Sequence, residues 1–181
     1  MRKLSMNELN RLSVNEFKSA PKIPIVLVLD NIRSQNNIGS IFRTADAFRL
    51  ESIYLCGITA TPPHREIHKT ALGATESVDW RYFPSTLEAI SELKARNYKV
   101  LAIEQTHKGT LLTQFVPTDD DKLAVVFGNE VNGIEEVVIN QAHTCIEIPQ
   151  FGTKHSLNIS VSVGIVLWDF FTKLKVFYEK T

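Results

Sequence analysis

Sulfur is scarce in this chain, which has two cysteines and two methionines among 181 residues. Cys56 and Cys145 end or sit within apolar runs and have no ligand-like spacing. A disulfide framework and a thiolate metal site are therefore excluded, and free thiols in a reducing compartment are expected. Neither sign of charge prevails: 20 Lys and Arg face 20 Asp and Glu, so any nucleic-acid site must be a local patch. No apolar run approaches the ~20 residues that a spanning helix needs. Met1-Arg2-Lys3 leads into the polar Ser5-Met6-Asn7-Glu8, which is unlike a signal peptide. These absences give the expectation of a soluble cytoplasmic protein with no membrane partner. Gly-x-Gly-x-x-Gly, a Walker loop and Gly-x-Ser-x-Gly are also missing, so the ordinary dinucleotide and hydrolase signatures are absent. His64 and His68 have a zinc-like spacing, but Arg65 replaces the expected glutamate, Pro62-Pro63 precedes them and no third ligand follows. No metal is expected.

What remains is 44% hydrophobic residues, enough for one domain with a substantial core. Short β-branched and aliphatic runs mark buried strands at Ile25–Leu29, Ile53–Cys56, Val78–Phe83, Tyr98–Ile103, Leu123–Phe127 and Cys145–Ile148. Helical periodicity between them places helices over Ile38–Leu50, Ile67–Ala74, Thr86–Arg96, Ile134–Ile139 and Leu157 to about Tyr178. Ser85 with Glu88 predicts a capping box at the third of these, and Gly73 a stop for the second. Leu4–Phe17 reads as a short N-terminal helix, and Gly109–Asp121 as an irregular connection. Strands alternating with helices imply an α/β fold, a mostly parallel sheet with helices on both faces. Residues 23–181 form one domain, with 1–22 as a short helical extension.

Three stretches combine a strand end, a polar glycine loop and a helix start, which is where open α/β sheets bind ligands. The first is Asn37-Ile38-Gly39-Ser40-Ile41-Phe42-Arg43-Thr44-Ala45, the second Gly128-Asn129-Glu130-Val131-Asn132-Gly133, and the third runs from Ile148-Pro149 through Gly152 to Ser156-Leu157-Asn158. Each has an ordinary structural explanation: Gly39 and Arg43 suit any exposed helix, Gly128-Asn129-Glu130 a tight turn, and Ser156 an N-cap. Glu130 would be costly in such a turn without hydrogen bonds or a cationic partner. Asn158 is unexpected in a first turn, since asparagine disfavours helix. Arg43 lies near the carboxyl end of the first strand, where a guanidinium could meet a phosphate.

Taken together and in order, the three stretches resemble the SpoU (TrmH-like) branch of the SPOUT RNA methyltransferases, from Ile25 to about Phe171. Lys69-Thr70-Ala71-Leu72-Gly73-Ala74 resembles the family's link after the second strand. The resemblance implies a C-terminal trefoil knot (the alpha-beta knot), a homodimer using the last helix, with Trp168, Phe170 and Phe171 as candidates, and S-adenosyl-L-methionine as methyl donor. It implies methyl transfer to a ribose 2′-hydroxyl of tRNA or rRNA. Carried over, the catalytic group is Arg43, Asn37, Glu130, Ser156 and Asn158. The cofactor loops contain Glu104, Gly128, Asn129, Ile148, Pro149, Gly152 and Leu157, and Arg33, Arg65 and Lys69 are candidates for RNA phosphates. This chain departs from the family in having Arg49 and Val131 where glycine is common, and in lacking a proline just before Asn37. A non-catalytic RNA-binding relative and an RNA base methyltransferase are the competing readings.

Overall fold

The computed structural model describes residues 1–5 and 7–174. The expected N-terminal helix is replaced by a 3-10 turn at Asn7–Leu9 and a separate helix α1 at Val14–Ser19. Local caps divide them. Ser5 and Ser13 each donate a backbone N–H to the glutamate three residues on, Glu8 and Glu16, and the Ser13 hydroxyl accepts from the Glu16 N–H. Leu9 and Leu12 remain exposed, whereas Phe17 is buried and anchors α1 on the domain.

The remaining elements are β1 (Ile23–Asp30), α2 (Gln35–Ala47), β2 (Leu50–Cys56), α3 (Arg65–Ala71), α4 (Ala74–Ser77), β3 (Trp80–Phe83), α5 (Thr86–Ala95), β4 (Lys99–Ile103), β5 (Thr110–Leu111), β6 (Leu123–Phe127), α6 (Glu136–Ile139), β7 (Thr144–Glu147) and α7 (Ile159–Lys173). Among the described residues seven strands form one sheet in the order β3-β2-β1-β6-β4-β7-β5. Every strand pairing is parallel. Parallel strands need both faces covered, and alternate side chains of β1 go to different layers. Ile25, Leu27 and Leu29 pack with residues of α1 to α4 and α7, while Val26 and Val28 pack with Ala89, Ile90 and Leu93 of α5 and Val138 of α6.

Several boundaries differ from the periodicity, each for a local reason. α2 starts at Gln35 because the Ser34 hydroxyl accepts from the Asn37 N–H and caps it. It stops before Leu50 because Arg49 takes a left-handed φ of 49°, the conformation that glycine would adopt most readily. α3 ends at Ala71, and the left-handed residues are Leu72 (φ 50°) and Gly73 (φ 91°). The Ser85 hydroxyl caps α5 through the Leu87 N–H, not through the expected pairing with Glu88. The two-residue strand β5 lies inside the segment expected to be irregular. α7 is capped by Asn158, two residues after Ser156, and its expected end near Tyr178 lies outside the described residues.

Register sets the ends of the central strands level. Leu29 pairs with Phe127, Phe127 with Ile103, and Ile103 with Ile146. The chain therefore leaves β1, β6, β4 and β7 at one edge, where four loops meet.

α2 packs closely on α3 at Gly39. A methyl group on Gly39 would overlap the Ile67 carbonyl oxygen and the Thr70 hydroxyl, and a backbone oxygen cannot rotate away. Gly39→Ala should therefore destabilise the protein by about 2 kcal/mol, the middle of the range for overpacking. A lower midpoint in urea with an unchanged slope would show it.

Candidate active site

Three of these strand ends, those of β6, β4 and β7, border a cavity of about 560 Å³, within the range of small-molecule sites. Its apolar wall comes from Ile103, Phe127, Ile146, Ile148 and Leu157, and its polar wall from Glu104, the 128–134 loop, Gln150, His155, Ser156 and Asn158.

The loop after β6 is a closed ring. Asn129 and Gly133 exchange backbone hydrogen bonds of 3.0 and 2.9 Å, and Asn129 Oδ1 accepts from the Val131 and Asn132 N–H groups at 2.9 and 3.2 Å. A methyl group on Gly128 would overlap the Gly133 backbone, so this position requires a glycine. Gly133 has φ 67°. Glu104 fastens the ring to β4: its carboxylate accepts from the Ile134 N–H at 3.1 Å and the Gln105 N–H at 2.9 Å. Both oxygens of this cavity-lining residue are thus engaged by backbone.

Glu130 joins the ring to the loop after β1. It accepts from the Arg33 and Ser34 N–H groups, both at 3.1 Å, and from Asn37 Nδ2 at 3.3 Å. Asn37 Oδ1 in turn accepts from Asn158 Nδ2 at 3.2 Å, while Asn158 Oδ1 caps α7 through the Ser160 N–H at 2.9 Å. A second tie runs beneath the first, with Asn129 Nδ2 donating to the Asn31 carbonyl oxygen at 2.7 Å. Asn31 is left-handed (φ 57°), which asparagine tolerates better than most residues. Its side chain accepts from the Ile58 N–H and donates to Asp30. A methyl group on Gly57 would overlap that same side-chain oxygen.

The catalytic candidates Glu130, Ser156 and Asn158 lie on the cavity wall, and Asn37 touches two of them. Arg43, on the same helix as Asn37, is exposed and off that wall, with no hydrogen-bond or ion-pair partner among the described residues. Of the cofactor candidates, Glu104, Gly128, Asn129, Ile148 and Leu157 line the cavity, whereas Pro149 and Gly152 do not. Arg33 is exposed and uses its N–H on Glu130. Arg65 and Lys69 belong to α3; both are exposed and reach Glu66, at 4.0 and 3.5 Å. Arg65 borders a separate cleft with His64, His68 and Trp80. Sequence reasoning missed Asn31 and His155. An asparagine directly after a strand is a signal for a left-handed turn, but a lone histidine in a polar loop carried none. Among the described residues no cluster of metal-ligating side chains occurs, and no helix is long and apolar enough to cross a membrane.

Partial burial disfavours charge on Glu130, yet the N–H donors of Arg33 and Ser34 and the amide of Asn37 outweigh it and hold its carboxyl below the ordinary glutamate range. A lowered native value contributes stability above that range and loses it as pH falls through the native value. Glu130→Gln, whose amide would face N–H donors, should be less stable than the wild type at neutral pH. The difference should shrink under acid, as read by urea unfolding at a series of pH values.

A family model described as the SpoU rRNA Methylase family matches residues 24–168. The 23S rRNA (guanosine-2'-O-)-methyltransferase RlmB of Neisseria meningitidis is 30% identical over 163 residues, which make up 90% of this chain and 63% of that enzyme. The AdoMet-bound rRNA methyltransferase from Sinorhizobium meliloti superimposes with a TM-score of 0.74 at 27% identity, over 80% of this chain and 54% of the other. The A. aeolicus TrmH/SpoU tRNA modifying enzyme shares the fold, with a TM-score of 0.77 at 21% identity over 90% and 80% of the two chains. The chain thus spans less than two thirds of the curated relative's length. With two of the three stretches lining one cavity, the first tied to both through Asn37, and the match covering most of the residues, the chain belongs to the SpoU methylase family.

Proposed function

We propose that this chain is an S-adenosylmethionine-dependent methyltransferase acting on a ribose 2′-hydroxyl of tRNA or rRNA. The observation that carries the proposal is the Glu130–Asn37–Asn158 chain of hydrogen bonds, which ties the first stretch of the family pattern to the two loops that line the cavity. The donor set suits the cofactor. Ile103, Phe127, Ile148 and Leu157 offer an apolar slot for a nucleoside, beside the 128–134 loop, which closes tightly because Gly128 has no side chain. The bound cofactor supplies an electrophilic methyl group. The protein must hold a poor nucleophile in line with it and dispose of one proton.

Ser156 and Asn158 stand on the wall where such a hydroxyl would enter, and Asn37 fixes the orientation of the Asn158 amide. Arginine is a reluctant base, because its guanidinium holds its proton far above neutral pH. The exposed, unpaired guanidinium of Arg43 favours a role on an RNA phosphate, with Arg33, Arg65 and Lys69 as outlying phosphate contacts. A requirement for the 2′-hydroxyl would select RNA over DNA. The trefoil threading of the C-terminal segment and the roles of Pro149 and Gly152 near the cofactor belong to the same proposal.

The proposal includes a homodimer. Val161, Ile165 and Trp168 recur at helical spacing on α7 and are 48%, 37% and 58% exposed. Beside them Trp168 stacks on Phe171, and both rings meet Phe48. Phe170 faces the core and is fully buried. Trp168→Glu should shift the protein to monomer mass in light scattering, because a carboxylate cannot be buried unpaired at such a face.

Labelled S-adenosylmethionine should transfer its methyl to tRNA or rRNA, and nuclease mapping should place it on ribose. Binding without incorporation, or label on a base, would sink the proposal. Arg43→Ala should lower incorporation about 10²-fold or more and leave cofactor affinity by calorimetry unchanged.

A further inference from the structure

We infer that His155 accepts the proton of the ribose hydroxyl during methyl transfer. The inference rests on the proposed function and adds the group which that reading leaves unassigned. Among the described residues the cavity wall carries three titratable side chains: Glu104, Glu130 and His155. The two carboxylates are engaged. Glu104 receives two backbone N–H groups and Glu130 receives two backbone N–H groups and an amide. Donors on every accessible oxygen make a carboxylate a weaker base.

Arg43 is off the wall and cationic. The charged groups that share the wall with His155 are those two carboxylates, and Lys154 adjoins it in the chain. α7 brings none to the cavity, its first charged residue being Asp169. His155 immediately precedes Ser156, so the loop delivers an imidazole and a hydroxyl to the same stretch of wall. An imidazole is also the side chain whose ordinary range reaches neutral pH.

The step balances. The 2′-oxygen forms its bond to the methyl carbon as the carbon–sulfur bond breaks and leaves its electron pair on sulfur. The hydroxyl proton passes to the ring nitrogen of His155 and then to solvent. The positive charge lost at sulfur appears on the imidazole before it is released.

The test uses the full chain with His155→Gln and His155→Ala. The residue is exposed on a loop, so both variants should fold. Single-turnover transfer is measured from roughly pH 5.5 to 8.5, bracketing the imidazole range. The wild-type rate should rise with pH and level off. His155→Gln should be slower by about 10²-fold near neutrality and lose the levelling, with cofactor affinity by calorimetry unchanged. Free imidazole should restore part of the rate to His155→Ala. A second readout needs no turnover. The His155 ring proton followed by NMR should titrate at lower pH once S-adenosylmethionine is added, because a sulfonium nearby disfavours imidazolium, and should return toward its starting value with the demethylated product. Variants that keep the wild-type rate and pH profile, or a ring titration indifferent to the sulfonium, would overturn this inference alone. A wild-type protein that methylates no ribose would overturn the proposed function with it.

Discussion

One carboxylate holds the functional edge of this protein together. Glu130 is fixed on the ring closed between Asn129 and Gly133, and its oxygens reach across to the loop after β1, 93 to 97 positions earlier in the chain. Strand register alone brings β1, β6, β4 and β7 to a common level, but level strand ends do not specify loop conformation. The hydrogen bonds from Arg33, Ser34 and Asn37 do, because an unsatisfied carboxylate in a half-enclosed turn is expensive. The same contacts set where α2 begins. Ser34 donates its N–H to Glu130 and offers its hydroxyl to the Asn37 N–H, so helix start and loop closure are one event.

From Asn37 the connection continues to the other side of the cavity. An amide can donate with one end and accept with the other, and both asparagines use this. Asn37 gives to Glu130 and takes from Asn158, while Asn158 gives to Asn37 and takes from the first turn of α7. Replacing either by a carboxylate or a hydroxyl would break the alternation of donor and acceptor. The geometry of the ligand edge is therefore specified by complementary hydrogen bonding, while the sheet beneath is specified by burial.

Much of this was legible in the residues. Leu123–Phe127 is a continuous apolar run, and it forms a strand over those same residues, buried between two neighbours. The need of Glu130 for donors was foreseeable from electrostatics, although the identity of those donors was not, since backbone N–H groups leave no mark in a sequence. Asn158 looked misplaced as a first-turn residue. As the cap of α7 it is well suited, and the misreading came from assigning the cap to Ser156. The N-terminal segment failed differently: two serine–glutamate pairs close local turns before a longer helix can form, and its leucines have nothing to cover. Arg49, which stands where the family pattern led us to expect glycine, takes the left-handed backbone that a glycine would supply.

The contact between Asn31 and Gly57 couples two positions 26 apart in the chain. The amide oxygen of one fills the space that a side chain on the other would need, while holding the N–H of Ile58. Because the Asn31 carbonyl also anchors Asn129, crowding at position 57 would be felt at the Glu130 ring with no direct contact between them. The two sites can drift only in concert. A shorter residue at 31 would relieve the clash with a side chain at 57 but not the left-handed backbone there (φ 61°), so the two substitutions should be non-additive, the pair costing less than the sum of the singles.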